Sequence, residues 1–402
     1  MQTKLSPYWL EVPLIKGETN QSFKRSEIII IGSGLSGVSC GYFLQKEGFN
    51  DVTIIDYKPE QSASYRNCGH ILYGTVESMK AFSEIHGAEK ARELWDFSVQ
   101  ICHLVRETIQ KNHYDVDYKQ DGYLCVAISE AEDRECREST ELLNSMGFKS
   151  EYQNQEKTTA LGFKNVFGAR FEEGSAQAHP VKFRNALLKN FLSSGGKYYS
   201  DKKILKIKDT HQGVILSTGE EEFECDAAII AANAYSPIFS DFFNQRRLIE
   251  PFRGQIITSK PLKTDLKIKF PHSFDHGYEY ALVTEDNRLM IGGWRHNSPT
   301  KELGTYSLET NAQITEGLKR FVSNHYAITE EIEWEFSWSG IMGASKTSLP
   351  FIGPTNSDRI YACGGYTGHG FSWAHGSAQL LAKIMAGKPL PGVSKYFNPK
   401  LL

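Results

Sequence analysis

The chain has 402 residues, a formal net charge of −3 and seven cysteines, a length that asks for two domains and leaves ample chain for a buried core. Its lysines and arginines are interspersed with aspartates and glutamates rather than gathered into a stripe, which argues against a nucleic-acid partner. Its longest apolar runs fall far short of the roughly 18–20 residues of a membrane span, and the N-terminal stretch does not read as a signal peptide.

The cysteines (Cys40, Cys68, Cys102, Cys125, Cys136, Cys225 and Cys363) include no Cys-x-x-Cys pair. Neither a disulfide framework nor a zinc ribbon is expected, no metal site is predicted, and a reducing, cytoplasmic setting is the expectation.

The first clear unit is "SEIIIIGSGLSGVSCGYFLQKEGFNDVTIIDYKPE". An apolar strand over 27–31 runs into Gly32-x-Gly34-x-x-Gly37, a helix follows to about Lys46, and a second strand over 52–55 ends at Asp56. Gly32 makes the tight turn, Gly34 lets a pyrophosphate approach the backbone, and Gly37 lets helix and strand pack closely. Leu35 and Ser36 open the helix, whose unpaired N–H groups and positive dipole end suit phosphate. Asp56 stands where an acid receives ribose hydroxyls. Glycines alone are a weak signal; strand, helix, second strand and acid together predict a dinucleotide site.

Beyond this unit, "GAEKARELWDFSVQICHLVRETIQKN" predicts a long amphipathic helix and residues 131–146 a second. Pro180 starts a helix that ends before "SGG". Strands at "ILKIK" and "GVILST" lead to "FECDAAIIAANAYS", an apolar strand ending in small residues. From about 246 to 339, "PFRGQIITS", "YEYALVT", "RLMIGGW" and "EIEWEFSWSG", with a helix over about 308–324, predict an antiparallel sheet covered by helices. "DRIYACGG" gives a last strand and "GFSWAHGSAQLLAKIMAG" a last helix. The expected fold is α/β: a Rossmann-like dinucleotide domain (1–85, 178–245 and 340–402) interleaved with an α+β substrate domain (86–177 and 246–339) containing a mostly antiparallel sheet.

The glycine- and histidine-rich "YACGGYTGHGFSWAHG" admits three readings: a metal site, a second phosphate loop, or close passage of backbone beside a flat ligand. His369 and His375 lack a ligand set at metal spacing, and no second strand with an acid follows the helix.

These segments resemble the FAD-dependent D-amino acid oxidase superfamily, in particular its glycine oxidase, sarcosine oxidase and γ-glutamylputrescine oxidase branches. The carriers are the first glycine motif, "SASYRNCGHI", "DAAIIAANAYS", "PFRGQ", "WSGIMGASKTSLPFIG" and "GGYTGHGFSWAHG". Even "SPYWLE" is similar to the leader of the putrescine-catabolic branch. The resemblance implies oxidation of a C–N bond by hydride transfer to flavin N5, with the imine then hydrolysed. It extends the cofactor-binding set to Tyr57, Ser64, Arg66, Asn67, Gly69, Ala232, Asn233, Gly340, Met342, Gly368, His369 and Gly370. Gly368 to Gly370 are expected to pass the pyrimidine edge of the flavin.

The departures from those branches are informative. Met342 stands at the glycine oxidase branch's carboxylate-binding Arg, Ser372 at the sarcosine oxidase Lys after Gly-His-Gly-Phe, and Met290 at the Lys that promotes reaction with oxygen. A carboxylate beside the reacting nitrogen would lack its usual cation. The expected substrate is therefore a small-molecule amine or amino-acid derivative other than a simple α-amino acid. Oxygen or another electron acceptor completes the cycle; the runner-up readings are an amine dehydrogenase and an idle flavin-binding protein. Asn67 and Ala344 replace the family's covalent attachment residues, so FAD is expected to be held non-covalently. Candidate catalytic residues are His369, Tyr278, Tyr280, Lys346 and Arg253, with Arg66 and Arg295 as further anion partners and Trp294 and Trp338 as further aromatics facing the ring.

Overall fold

A computed structural model describes residues 3–19, 23–268 and 270–401. Four consecutive isoleucines in the strand Arg25–Ile31 set its place in the molecule: Ile28 and Ile30 enter one buried cluster, Ile29 and Ile31 another. A strand apolar on both faces belongs at the centre of a parallel sheet. It pairs in parallel with Val52–Ile55 on one side and Glu222–Ile230 on the other. The sheet path is Phe351–Pro354, Ile360–Gly364, Glu222–Ile230, Arg25–Ile31, Val52–Ile55 and Lys197–Tyr199, with the hairpin strands Lys206–Thr210 and Gly213–Ser217 joined to Glu222–Ile230. Helices Leu35–Lys46, Ala88–Lys111, Pro180–Ser193 and Gly370–Met385 contribute the larger buried cluster against one face.

The second sheet also has eight strands, ordered Trp334–Ser345, Ile249–Ser259, Leu289–Gly292, Glu279–Val283, His272–Phe274, Tyr123–Ala127, Gly168–Glu172 and Glu151–Gln153. Every pairing in it is antiparallel except that of His272–Phe274 with Tyr123–Ala127. One face is a closed apolar layer: Leu124, Val126, Ile257 and Ile291 pack with Leu318 and Phe321 of the helix Ala312–His325. The α/β fold read from the sequence, with its second, mostly antiparallel sheet, is therefore present.

Two differences from the expected elements have local causes. The helix expected from about 308 begins at Ala312, because Asn311 accepts from the N–H of Gln313 and donates its own N–H to Gln255 Oε1 (2.7 Å). That pins the preceding residues in extended form. The boundary expected at 339/340 falls inside the unbroken strand Trp334–Ser345. Near the N-terminus, the short 3₁₀ turn Tyr8–Glu11 buries Trp9, whose indole N–H donates to the Asn67 carbonyl (2.7 Å) beside Tyr65 and Cys68. Among the described residues no helix is long and apolar enough to cross a membrane.

Candidate active site

A cavity of about 860 Å³ is lined by the carboxyl ends of the parallel strands and by the open face of the second sheet. At the first end, Gly32 turns the chain with φ +110°, a conformation open chiefly to glycine. Its N–H donates to the Ile55 carbonyl (2.8 Å). A Cβ on Gly34 would come within 2.9 Å of the Ser62 and Ser64 hydroxyls. The helix beginning at Leu35 has no side-chain cap, and Gly32, Gly34, Leu35 and Ser36 all face the cavity. Ser64 accepts from the Leu35 N–H (2.8 Å), fastening the "SASYRN" loop to this turn. Gly37 lies behind the wall, where a Cβ would collide with the Gly32 carbonyl.

Asp56 lines the cavity beside Tyr57, but its carboxylate is already engaged. Oδ2 accepts from the Ser33 N–H (2.7 Å) and hydroxyl (2.6 Å), and Oδ1 from the Tyr57 N–H (2.6 Å). Burial pushes its pKa up and these bonds oppose the push. Beneath, the fully buried Arg184 donates to the Ser33 carbonyl and hydroxyl, both at 3.0 Å, bracing the turn. Nothing in the local motif announces Arg184; it comes from the helix Pro180–Ser193.

A second uncapped helix N-terminus opens on the same cavity: Gly368, His369 and Gly370 line it where the helix Gly370–Met385 starts. Burial lowers the His369 pKa to about 4, so the ring is neutral, and its Nδ1 has no partner. The Tyr235 hydroxyl is likewise buried and unpartnered in the cavity wall. Asn233 joins the two halves, accepting the Gly365 N–H on Oδ1 (2.8 Å), next to Ala232. Arg66 donates to the carbonyls of Glu60 (3.0 Å) and Ser339 (2.7 Å) and forms no ion pair among the described residues. Asn67 shapes its own loop, accepting from the Gly69 N–H (2.7 Å) and donating to the Ala63 and Ser64 carbonyls. Gly69 itself is behind that loop, against the Ala178 carbonyl.

The second sheet covers the cavity with Gly254, Gly340, Met342 and Tyr280. A Cβ on Gly254 would lie 2.6 Å from Met342 Cε and 3.3 Å from the Tyr280 hydroxyl, so these three meet. Tyr278 lines the cavity too, more exposed and tilted against the His296 ring at 4.4 Å between centroids.

Several expected residues sit elsewhere. Arg253 turns away from the cavity: it donates from Nε to Glu302 (2.5 Å) and from Nη1 to the Glu309 carbonyl (2.7 Å). Lys346 donates to the Arg246 carbonyl (3.1 Å) and does not line the cavity. Neither expected side chain reaches the cavity: Arg253 is drawn to the buried Glu302 carboxylate, and Lys346 is exposed although Ala344 and Ser348 on either side of it line the wall. Trp338 is buried beside Phe336 and Met290, and Trp294 packs against Gly317; neither lines the cavity. His375 is a core fastener held between Ser39 Oγ (2.9 Å) and Thr108 Oγ1 (3.0 Å). Ser372 does line the cavity, with its hydroxyl accepting from the Leu72 N–H (2.7 Å). Arg295 does reach the cavity, over the Phe252 and Tyr278 rings.

The fold also gathers groups with no shared spacing in sequence. Donor atoms of Asp275, Glu279 and His296 lie within 4.8 Å of one another, as do those of Glu132, Asp275 and His276. Glu279 is fully buried, with Oε1 accepting the Trp294 N–H (3.1 Å) and Oε2 unpartnered. Arg170 and Glu172 form a buried ion pair in the cavity wall that the sequence reading does not single out.

A glycine turn, two open helix N-termini, an acid at the end of the second strand and unpartnered buried polar atoms suit a flavin adenine dinucleotide: Gly32 to Ser36 for its phosphates, Asp56 for a ribose, and Gly368 to Gly370 with His369 for the ring.

The comparisons agree with this geometry. The chain is 22% identical over 372 residues to a probable oxidoreductase, OrdL, of Haemophilus influenzae, covering 90% of this chain and 84% of that protein. It is 23% identical over 382 residues to the γ-glutamylputrescine oxidoreductase of Escherichia coli, with the same coverage. The crystal structure of glycine oxidase from Geobacillus kaustophilus superposes with a TM-score of 0.78 at 18% identity, over 94% of this chain and 99% of that one. Residues 27–384 match the model of the FAD dependent oxidoreductase family, and the chain belongs to that family.

Proposed function

We propose that this chain oxidises a C–N bond of an amine, giving an imine that water then hydrolyses. The observation that carries this is the cavity joining two uncapped helix N-termini to a sheet face on which Gly254, Gly340, Met342 and Tyr280 meet. Bound FAD supplies the hydride acceptor. The chain's own residues bind, orient and exclude water. The backbone N–H groups at Gly368 to Gly370 and the positive end of their helix favour negative charge beside them. His369 and His70 are both held neutral by burial, with pKa values near 4 and 3, so neither ring adds positive charge to the wall against an incoming amine.

Arg253 is the sole Lys or Arg on the strands that supply Gly254, Gly340, Met342 and Tyr280, and it is spent on Glu302. Arg66 reaches this end beside Gly340 but donates to the Glu60 and Ser339 carbonyls, so the strands leave no dedicated cation for a carboxylate next to the reacting nitrogen, and a carboxylate buried unpaired costs several kcal/mol. The substrate class is therefore an amine whose reacting nitrogen carries no adjacent carboxylate.

The acceptor reading favoured is a non-oxygen one, a dehydrogenase, because Met290 is buried in the core where the family's oxygen-activating Lys would stand. The test is anaerobic mixing of the yellow protein with secondary amines, polyamine derivatives and simple α-amino acids. Bleaching by the amines ahead of the amino acids is expected; a flavin that no amine bleaches refutes the reaction. Admitting air then decides the acceptor: reoxidation within seconds with peroxide release would overturn the dehydrogenase reading.

A further inference from the structure

The face of the second sheet that lines the cavity carries a row of side chains in cross-strand register. Tyr280 pairs with Ser273, Ser273 with Cys125, and Cys125 with Arg170, and all four line the cavity. With strands about 4.8 Å apart, Arg170 stands three spacings, roughly 14 Å, from Tyr280. Two residues along its strand, and so on the same face, is Glu172, also in the wall.

Arg170 and Glu172 are 6% and 3% exposed. Their ion pair uses Arg170 Nη1 and Glu172 Oε1. Among the described residues Arg170 has no other hydrogen-bond partner, although a guanidinium has five N–H donors. Glu172 Oε2 has one long bond, from the Ser175 hydroxyl (3.5 Å). A buried pair left this sparsely bonded is a poor structural device, since interior ion pairs repay their desolvation only when the remaining donors and acceptors are satisfied. Within a cavity, those unspent groups are available to a ligand.

We propose that Arg170 and Glu172 form a distal subsite for a zwitterionic head group, an α-amino-acid end, at the far side of the molecule from the nitrogen that is oxidised. The carboxylate accepts from Arg170 and the ammonium donates to Glu172. The pair is neutral overall, so a lone carboxylate or lone ammonium finds a repelling partner beside its attractive one. A head group that is itself neutral and dipolar matches both. On this reading the amino-acid group is recognised at a distance from the reaction rather than next to it, where Arg253 is spent on Glu302 and Arg66 on backbone carbonyls. The inference rests on the proposed amine oxidation, with the reacting nitrogen beside Gly254, Gly340, Met342 and Tyr280.

The experiment separates the two ideas. Anaerobic isothermal calorimetry on the flavin-loaded protein compares norleucine, hexanoate, hexylamine and hexanol, together with longer homologues, none of which carries a distal amine to oxidise. Norleucine or its homologues should bind tighter than the other three heads by about tenfold or more, the scale of one or two charge-assisted bonds. The double variant Arg170→Met/Glu172→Gln removes both charges at near-constant volume, so neither is left buried alone; it should flatten that order. Equal affinities across the four heads in the wild-type protein overturn the subsite, whatever the variant does. So does an order that survives the double substitution in a variant of normal circular dichroism and flavin content. Bleaching by N-methylamino versions of the same chains is read separately: norleucine preference without bleaching leaves the subsite standing and removes the amine oxidation.

Discussion

Glu279, on the strand Glu279–Val283 behind the cavity wall, allows a direct measurement of what burial does to a carboxyl group. Its side chain is 1% exposed, Oε1 accepts a single backbone N–H from Trp294, and Oε2 has no partner. Burial, followed by the nearby negative charge of Asp275, pushes its pKa up to about 8, against an ordinary value of 4.5. The folded-state value lies above the unfolded one, so the native state holds a proton that the unfolded chain releases. The associated stability is complete below about pH 4.5 and is lost progressively as pH rises to about 8. At about 1.4 kcal/mol per unit, the loss across that window is on the order of 3–5 kcal/mol. Glu279→Gln keeps the shape and the acceptor for the Trp294 N–H but cannot ionise. Urea unfolding of both proteins from pH 5 to pH 9 should give curves that converge at the acid end and separate by that amount at the alkaline end, the variant being the more stable. Parallel stability curves would show that Glu279 titrates normally, and the burial argument would fall.

Gly37→Ala places a methyl group against the Gly32 carbonyl, so the turn must open; flavin affinity in a fluorescence titration of the apoprotein should fall at least about tenfold, the weight of a lost phosphate contact or two. His375→Ala strands the Ser39 and Thr108 hydroxyls in the core and should cost about 3 kcal/mol in denaturant unfolding, while the flavin's potential and spectrum stay unchanged; a shifted potential would place His375 in the electronic environment of the ring.

The dinucleotide end was legible because each part of it is local. Gly32, Gly34, Gly37 and Asp56 lie within one strand-helix-strand unit, and short-range spacing fixes their roles before any tertiary contact forms. The covering sheet was legible as strands but not as faces. Both of its faces are buried, one under a helix and one over the cavity, so alternation does not reveal which side chains reach the site. Trp338 and Tyr280 look equivalent in sequence and go to opposite fates, core and cavity. Arg253 was misplaced because its partner Glu302 is 49 residues further on. Arg170 and Glu172 alternate with Phe171 in a pattern that reads as a charged outer face; only the register with Cys125 and Ser273 turns that face inward.

The order of strands in the parallel sheet has a consequence for how the protein is made. Arg25–Ile31 leaves the ribosome long before one of its two neighbours: Arg25 meets Glu224, 199 residues later in the chain. The helix whose N-terminus completes the other end of the cavity starts at Gly370. For those 199 residues of synthesis a strand edge with four consecutive isoleucines waits for its partner, the circumstance in which parallel pairings fold slowly and invite aggregation. The glycine turn is thus an early sequence and a late site: a nascent chain carries it for some three hundred residues of translation before it faces a closed cavity.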